Sequence, residues 1–159
     1  MIAILDYGSG NLRSAQKALE RVGANAQLTS DHGLIADADA VVLPGVGAFG
    51  ACMAALRDQG LDEVAVAATS DGRPFLGVCV GMQMLFEGSD ESPGATGLGV
   101  LPGRLRLLPD TVKRPQMQWN LVDVRRPSRL FAAIEDPVWM YFVHSYAADG
   151  DDPSVIATC

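Results

Sequence analysis

Pro74-Phe75-Leu76-Gly77-Val78-Cys79-Val80-Gly81-Met82-Gln83-Met84-Leu85-Phe86 is the stretch whose reading decides the fold. Phe75 to Val78 is an apolar strand pattern ending at Cys79. Gly81-Met82-Gln83 opens a run of helical character that continues through Met84, Leu85 and Phe86. Glycines stand two residues to either side of the cysteine, giving Gly-x-Cys-x-Gly. This is the thiol counterpart of the strand-to-helix nucleophile elbow, a strained turn that places its reactive side chain at the top of a strand. The flanking glycines leave room for strand and helix to close on each other. Such a turn sets the sulfur at a helix amino terminus, where amide dipoles favour thiolate over thiol. The N–H of Val80 then faces the oxyanion that attack by Cys79 creates. A free cysteine is usually a small buried hydrophobe. Here the glycines, with strand before and helix after, favour a catalytic residue.

Outward from the elbow, strands and helices alternate. Residues 2–5 read as a short buried strand, followed by a helix whose stripe is Leu12, Ala15, Leu19 and Val22, closed by Gly23. Residues 26–29 and 40–43 are further strand candidates, and alanine-rich helical sequence covers about 49–56 and 61–69. This order predicts an α/β fold, a mostly parallel sheet flanked by helices, with ligands at the carboxyl ends of the strands. After Gly88 the texture changes. Residues 89–99 form a Ser/Pro/Gly-rich loop; 103–108, 117–124 and 138–146 read as strands, with a short helix near 128–134. Crowded turn signals there predict antiparallel strands added in the C-terminal half. A last strand is expected at 155–159. No internal repeat or linker divides the chain, so residues 1–159 read as one domain.

Composition narrows the function classes. With 12 basic and 19 acidic residues among 159 the net charge is −7, a poor match to nucleic acid or an anionic membrane surface. No apolar run approaches the roughly 20 residues of a membrane span, and the amino terminus lacks the basic region of a signal peptide. Three widely spaced cysteines, Cys52, Cys79 and Cys159, suit a reducing cytoplasm better than a disulfide framework. With two histidines they make no metal-ligand spacing, so neither metal nor cofactor is expected. Cys52, in an alanine-rich helix, reads as packing. The acidic cluster Asp149, Asp151 and Asp152 reads as a solvated loop.

Two glycine-rich turns follow strands. Gly8-Ser9-Gly10, with Asp31 downstream, invites a dinucleotide-binding reading, but Arg13 occupies the place of the third glycine and a helix-capping turn fits better. Pro44-Gly45-Val46-Gly47 can offer backbone N–H groups at the sheet edge that carries Cys79. Paired with the elbow, these supply a second oxyanion donor at no cost in side-chain entropy.

Four segments carry a family resemblance: Asp6-Tyr7-Gly8-Ser9-Gly10-Asn11-Leu12-Arg13-Ser14, Leu43-Pro44-Gly45-Val46-Gly47-Ala48-Phe49-Gly50, Gly77-Val78-Cys79-Val80-Gly81-Met82-Gln83 and Tyr141-Phe142-Val143-His144-Ser145-Tyr146. Together they resemble the class I, triad-type glutamine amidotransferases of flavodoxin-like fold, and within them the glutaminase subunits of imidazole glycerol phosphate synthase, from histidine biosynthesis. The resemblance covers the whole chain. It implies that Cys79 attacks the side-chain amide of glutamine, releases ammonia and forms a thioester that water hydrolyses. Val80 with Gly45, Val46 and Gly47 would hold the oxyanion, and Gln83, His144, Ser145 and Tyr146 the amino-acid end of glutamine, alongside Gly47. Ammonia would pass to a (β/α)8-barrel cyclase subunit, docked through Asn11, Met117, Trp119 and Asn120.

The chain departs from the pattern twice. Gln116 and Gln118 replace residues of a Pro-His-Met-Gly-Trp-Asn segment, which bears on docking. The family's Phe-His-Pro-Glu segment, source of the base and its orienting carboxylate, has no counterpart. His32 sits in a polar stretch, and His144 matches the substrate pocket. The expectation is a fragment lacking its C-terminal segment, with negligible glutaminase activity alone and marginal stability. The alternatives are a base-less binding protein of the same fold and another class I glutaminase, such as that of pyridoxal phosphate synthesis.

Overall fold

Near-continuous aliphatic sequence builds the first sheet. β1 (Ile2–Leu5), β2 (Ala26–Thr29), β3 (Ala40–Gly45) and β4 (Phe75–Cys79) pair in parallel in the order β2-β1-β3-β4. The connections carry α1 (Leu12–Arg21), α2 (His32–Ala36), α3 (Phe49–Asp58) and α4 (Asp62–Ser70). Parallel crossovers are right-handed. The step from β1 outward to β2 therefore puts α1 on one face, and the steps toward β3 and β4 put α2, α3 and α4 on the other. Buried on both faces, the central strands carry Ala3, Ile4 and Leu5 in β1 and Val41, Val42 and Leu43 in β3, with no polar alternation. Phe49, Met53 and Leu56 of α3 are fully buried as well, each such side chain contributing roughly 1.5–3 kcal/mol. The reversal of winding between β1 and β3 is a topological switch point, where crevices form at the carboxyl edge.

The computed structural model describes all 159 residues, in two compact units, Met1–Arg104 and Leu105–Cys159. After β4 the first unit continues through α5 (Val80–Gln83) and β5 (Phe86–Ser89), and β6 (Leu101–Leu107) runs across the unit boundary. In the second unit β7 (Gln116–Leu121) pairs antiparallel with β9 (Trp139–His144), and β8 (Asp123–Val124) with β11 (Ala157–Thr158). β10 (Tyr146–Ala147) pairs antiparallel with the Arg106–Leu107 end of β6. The antiparallel half expected from turn signals is thus present, as separate small sheets. No helix is long and apolar enough to cross a membrane.

Several local expectations are corrected. The helix after Cys79 ends at Gln83, not Phe86, because the 84–86 backbone turns to bond the 98–101 segment (Leu98 N to Met84 O, 2.8 Å; Leu101 N to Leu85 O, 2.9 Å). Residues 128–134 form no helix but two successive i→i+3 turns, Phe131 N to Ser128 O and Ile134 N to Phe131 O. The expected 117–124 strand is broken at Val122, which bonds Val138 O and is buried. His32 opens the short α2, capped by Asp31 through Leu34 N at 2.8 Å. Asp31, the acidic residue of the dinucleotide reading, is thereby committed to a helix end. Val22 leaves the α1 stripe: it is the C-cap, 80% exposed. Gly23, at φ +87°, and Ala24 close the helix by bonding Glu20 O and Leu19 O, the Schellman pattern. The terminal strand shrinks to Ala157–Thr158, since 149–155 is taken up by turns anchored on Asp149 and Asp152.

Candidate active site

Cys79 stands at φ 55°, ψ −121°, the one non-glycine residue with positive φ. A side chain in such a conformation costs on the order of 1–3 kcal/mol and persists where its surroundings over-determine it. Here β4 is laddered to β3 as far as Gly45 opposite Cys79, and α5 begins at the next residue. The two glycines are what the turn requires. A Cβ on Gly77 would lie 2.6 Å from the Met82 Cα, and one on Gly81 would lie 1.8 Å from the Leu43 carbonyl oxygen. Gly77 therefore lets α5 fold back on its own strand, and Gly81 lets it press on β3. The product is an exposed thiol at the carboxyl edge of the sheet.

The 44–47 loop meets the elbow directly. A Cβ on Gly45 would lie 2.6 Å from Gly81 N and 3.0 Å from Val80 Cβ, so only glycine allows this approach. Gly47 takes φ +97° with open space where a side chain would be, and Val46 is half exposed. Beneath the loop, Tyr7 Oη donates to Pro44 O at 2.7 Å. Cys52 Sγ donates to Val46 O at 3.2 Å, and Ser9 Oγ to the same oxygen at 3.4 Å. Burial first, and then the adjacent Cys52 thiol, push the Tyr7 hydroxyl above the ordinary tyrosine range. The loop leads into α3, whose N-cap, Ala48, has no capping side chain. Two residues from the 89–92 turn substitute: Glu91 Oε2 accepts from Phe49 N at 2.7 Å, and Ser92 Oγ from Gly50 N at 3.2 Å.

Of the residues singled out from sequence, Cys79, Val80, Gly45, Val46 and Gly47 are thus brought together in the first unit. Gln83 is in the same unit, the last residue of α5, and buried. Asn11 is the exposed N-cap of α1. His144, Ser145 and Tyr146 belong to the second unit. There His144 Nδ1 donates to Tyr146 O at 3.2 Å, and Ser145 O accepts from Leu108 N at 2.9 Å. In β7, Met117 and Trp119 are 57% and 65% exposed, Trp119 meeting Tyr141 edge-to-face at 5.7 Å. Asn120 points to the opposite face of the β7–β9 pair, within 3.4 Å of Gln116. Sequence reasoning missed Tyr7, Ser9 and the bond made by Cys52. Cys52 is buried as expected of packing, yet its thiol also reaches the loop. Its position seven residues after Gly45, one helical turn into α3, was the available signal.

The family model for glutamine amidotransferase class-I matches residues 3–159. The chain belongs to the class I glutamine amidotransferase family. The imidazole glycerol phosphate synthase subunit HisH of Methanothermobacter thermautotrophicus is 49% identical over 157 residues, covering 99% of this chain and 78% of the relative. The HisH subunit of Symbiobacterium thermophilum is 48% identical over 153 residues, 96% of this chain and 72% of the relative. That of Mycolicibacterium paratuberculosis is 51% identical over 148 residues, 92% and 71%. A solved structure described as a glutamine amidotransferase superposes with a TM-score of 0.66 at 19% identity, covering 91% of this chain and 70% of that one. At that identity it speaks for the amidotransferase fold alone.

Proposed function

We propose that the chain is the glutaminase subunit of an imidazole glycerol phosphate synthase, with Cys79 as its nucleophile. The observation that carries this is an exposed thiol at φ 55° on an elbow that glycine contacts pack against a glycine-rich loop. The glutamine amidotransferase family match, with HisH relatives at 48–51% identity, supports glutamine as the substrate. The Cys79 sulfur adds to the glutamine side-chain carbonyl. A C–S bond forms, and the oxygen takes the charge between Val80 N–H and an N–H of the 44–47 loop. The C–N bond then breaks, ammonia leaves with the thiol proton, and the remaining thioester is hydrolysed to glutamate, regenerating the thiol. Preorganised donors of this kind are worth about 10²–10³ in rate each. Gln83, His144, Ser145 and Tyr146 would hold the amino-acid end of glutamine.

The proton acceptor is not assigned to either histidine in the sequence. His32 lies against Gly60, and His144 is engaged with Tyr146 O. The family match runs through the boundary between the units, which supports one amidotransferase domain over 1–159. A (β/α)8-barrel cyclase subunit is the proposed recipient of ammonia, and the exposed Met117 and Trp119 are the proposed anchors, with Asn11 and Asn120. A cytoplasmic location, with no nucleic-acid or membrane partner, is the matching expectation for a histidine-biosynthetic enzyme.

Affinity labelling tests the reading without relying on turnover. The chain is incubated with the chloromethyl ketone analogue of glutamine, and adducts are located by peptide mass spectrometry. The expected result is one adduct, on Cys79, suppressed by excess glutamine and absent in Cys79→Ala. Adducts spread over Cys79 and Cys159, indifferent to glutamine, would remove the proposal.

A further inference from the structure

The loop that borders Cys79 is held from beneath by more than it needs. A carbonyl oxygen has two acceptor sites, and both sites of the Val46 oxygen are approached by protein side chains. Cys52 Sγ comes from α3 at 3.2 Å and Ser9 Oγ from the loop after β1 at 3.4 Å. The two donors also meet each other at 3.8 Å. One donor is enough to satisfy a carbonyl oxygen. Demand for a hydrogen bond therefore does not explain why two side chains from separate elements converge there. What they do is fix a plane. In a trans peptide the carbonyl and the following N–H point in opposite directions. Drawing the Val46 oxygen down onto Ser9 and Cys52 thus turns the Gly47 N–H the other way. Gly47, at φ +97° with no side chain, lacks rotamer or Cβ sterics of its own to hold that plane.

We propose that Ser9 and Cys52 are positioning residues that clamp the Val46–Gly47 peptide and thereby set which loop N–H is offered to the oxyanion. The clamp is itself anchored. Tyr7 ties Pro44 O at 2.7 Å just upstream. Glu91 and Ser92 cap the first turn of α3 and keep Cys52 in register with the loop. The inference rests on the functional reading above, since a clamp on an oxyanion loop matters only where an oxyanion forms.

The test compares two alkylators at Cys79 in the full chain, each read by peptide mass spectrometry. The glutamine chloromethyl ketone reacts through a tetrahedral oxyanion, whereas iodoacetamide displaces iodide and forms none. Cys52→Ala, Ser9→Ala and the double variant remove the donors with little change in volume, and Cys52→Ser keeps a donor. The double variant is expected to lose roughly 10-fold or more in the limiting chloroketone rate, as slight misplacement of a catalytic group does. Its half-saturating concentration and its iodoacetamide rate stay at the wild-type values. Cys52→Ser recovers most of the loss. A double variant with the wild-type chloroketone rate overturns the clamp. So does an equal loss toward both reagents, which would mark mere damage to the fold. If the wild-type chain gives no glutamine-protected Cys79 adduct, the functional reading fails and the clamp falls with it.

Discussion

Single atoms decide whether the elbow exists. Glycine at 81 is a matter of backbone clearance, because the nearest obstacle to a Cβ there is the Leu43 carbonyl oxygen, which cannot swing aside like a side chain. Gly81→Ala should therefore destabilise the protein by about 3 kcal/mol or more, at the upper end of overpacking costs. A fall in the urea midpoint at unchanged slope would measure it. Gly72→Ala, where a Cβ meets no atom within 4 Å, should cost less, only the strain of its φ of +87°. Tyr7 gives a pH signature. Its hydroxyl is held above the ordinary tyrosine value of 10.0, first by burial and then by Cys52. The folded state thus keeps a proton that the unfolded chain releases. That contribution is present in full below about pH 10 and declines as pH rises beyond it. Tyr7→Phe should lower stability at neutral pH by about 1 kcal/mol for the lost hydrogen bond to Pro44 O, and should flatten the decline above pH 10. Equilibrium unfolding from pH 8 to 11 checks both.

Secondary elements were legible in proportion to their periodicity. β1, β2, β3 and both α3 and α4 stand where their apolar runs and spacings placed them, since sterics and burial act locally there. The failures share a cause. The helix after Cys79 stops at Gln83 although Met84-Leu85-Phe86 has helical composition, because β5 and the 96–101 backbone compete for the same groups. The 128–134 stretch has helix-forming residues, but Leu130 and Ile134 stay about half exposed, so no burial holds a helix and the segment settles into turns. Capping was invisible for a related reason: α3 begins at an alanine, and its substitutes come from 42 positions downstream. A cap typically contributes about 1 kcal/mol, so Glu91→Ala and Ser92→Ala should each lower stability by about that much. Urea titration is the measurement, and a silent pair would mean that water serves α3 equally well.

At the scale of the molecule, the site of the first unit was readable because its spacing is written in three short motifs, whereas Tyr7, Ser9 and Cys52 act through distances that only folding creates. The β7–β9 pair was readable in part. Registers join Met117 to Val143, Trp119 to Tyr141 and Leu121 to Trp139, and all six side chains are about half exposed or more on one face. An apolar face of this kind is the mark of an interaction surface. For the proposed cyclase partner, Trp119→Ala should weaken binding by about 2 kcal/mol, the scale of an interface hot spot, which is roughly 30-fold in Kd. Asn120→Ala, on the opposite face, should change it less. Isothermal titration of the subunit pair reads both values. The central claim is that the sulfur of Cys79 attacks a carbonyl whose oxygen is then received by main-chain amides. A crystal structure of the chain trapped with the glutamine chloromethyl ketone tests it most directly. The prediction is a Cys79 adduct whose oxygen lies about 2.7–3.1 Å from both Val80 N and an amide nitrogen of the 44–47 loop. An adduct with its oxygen turned to solvent, away from both, would contradict it.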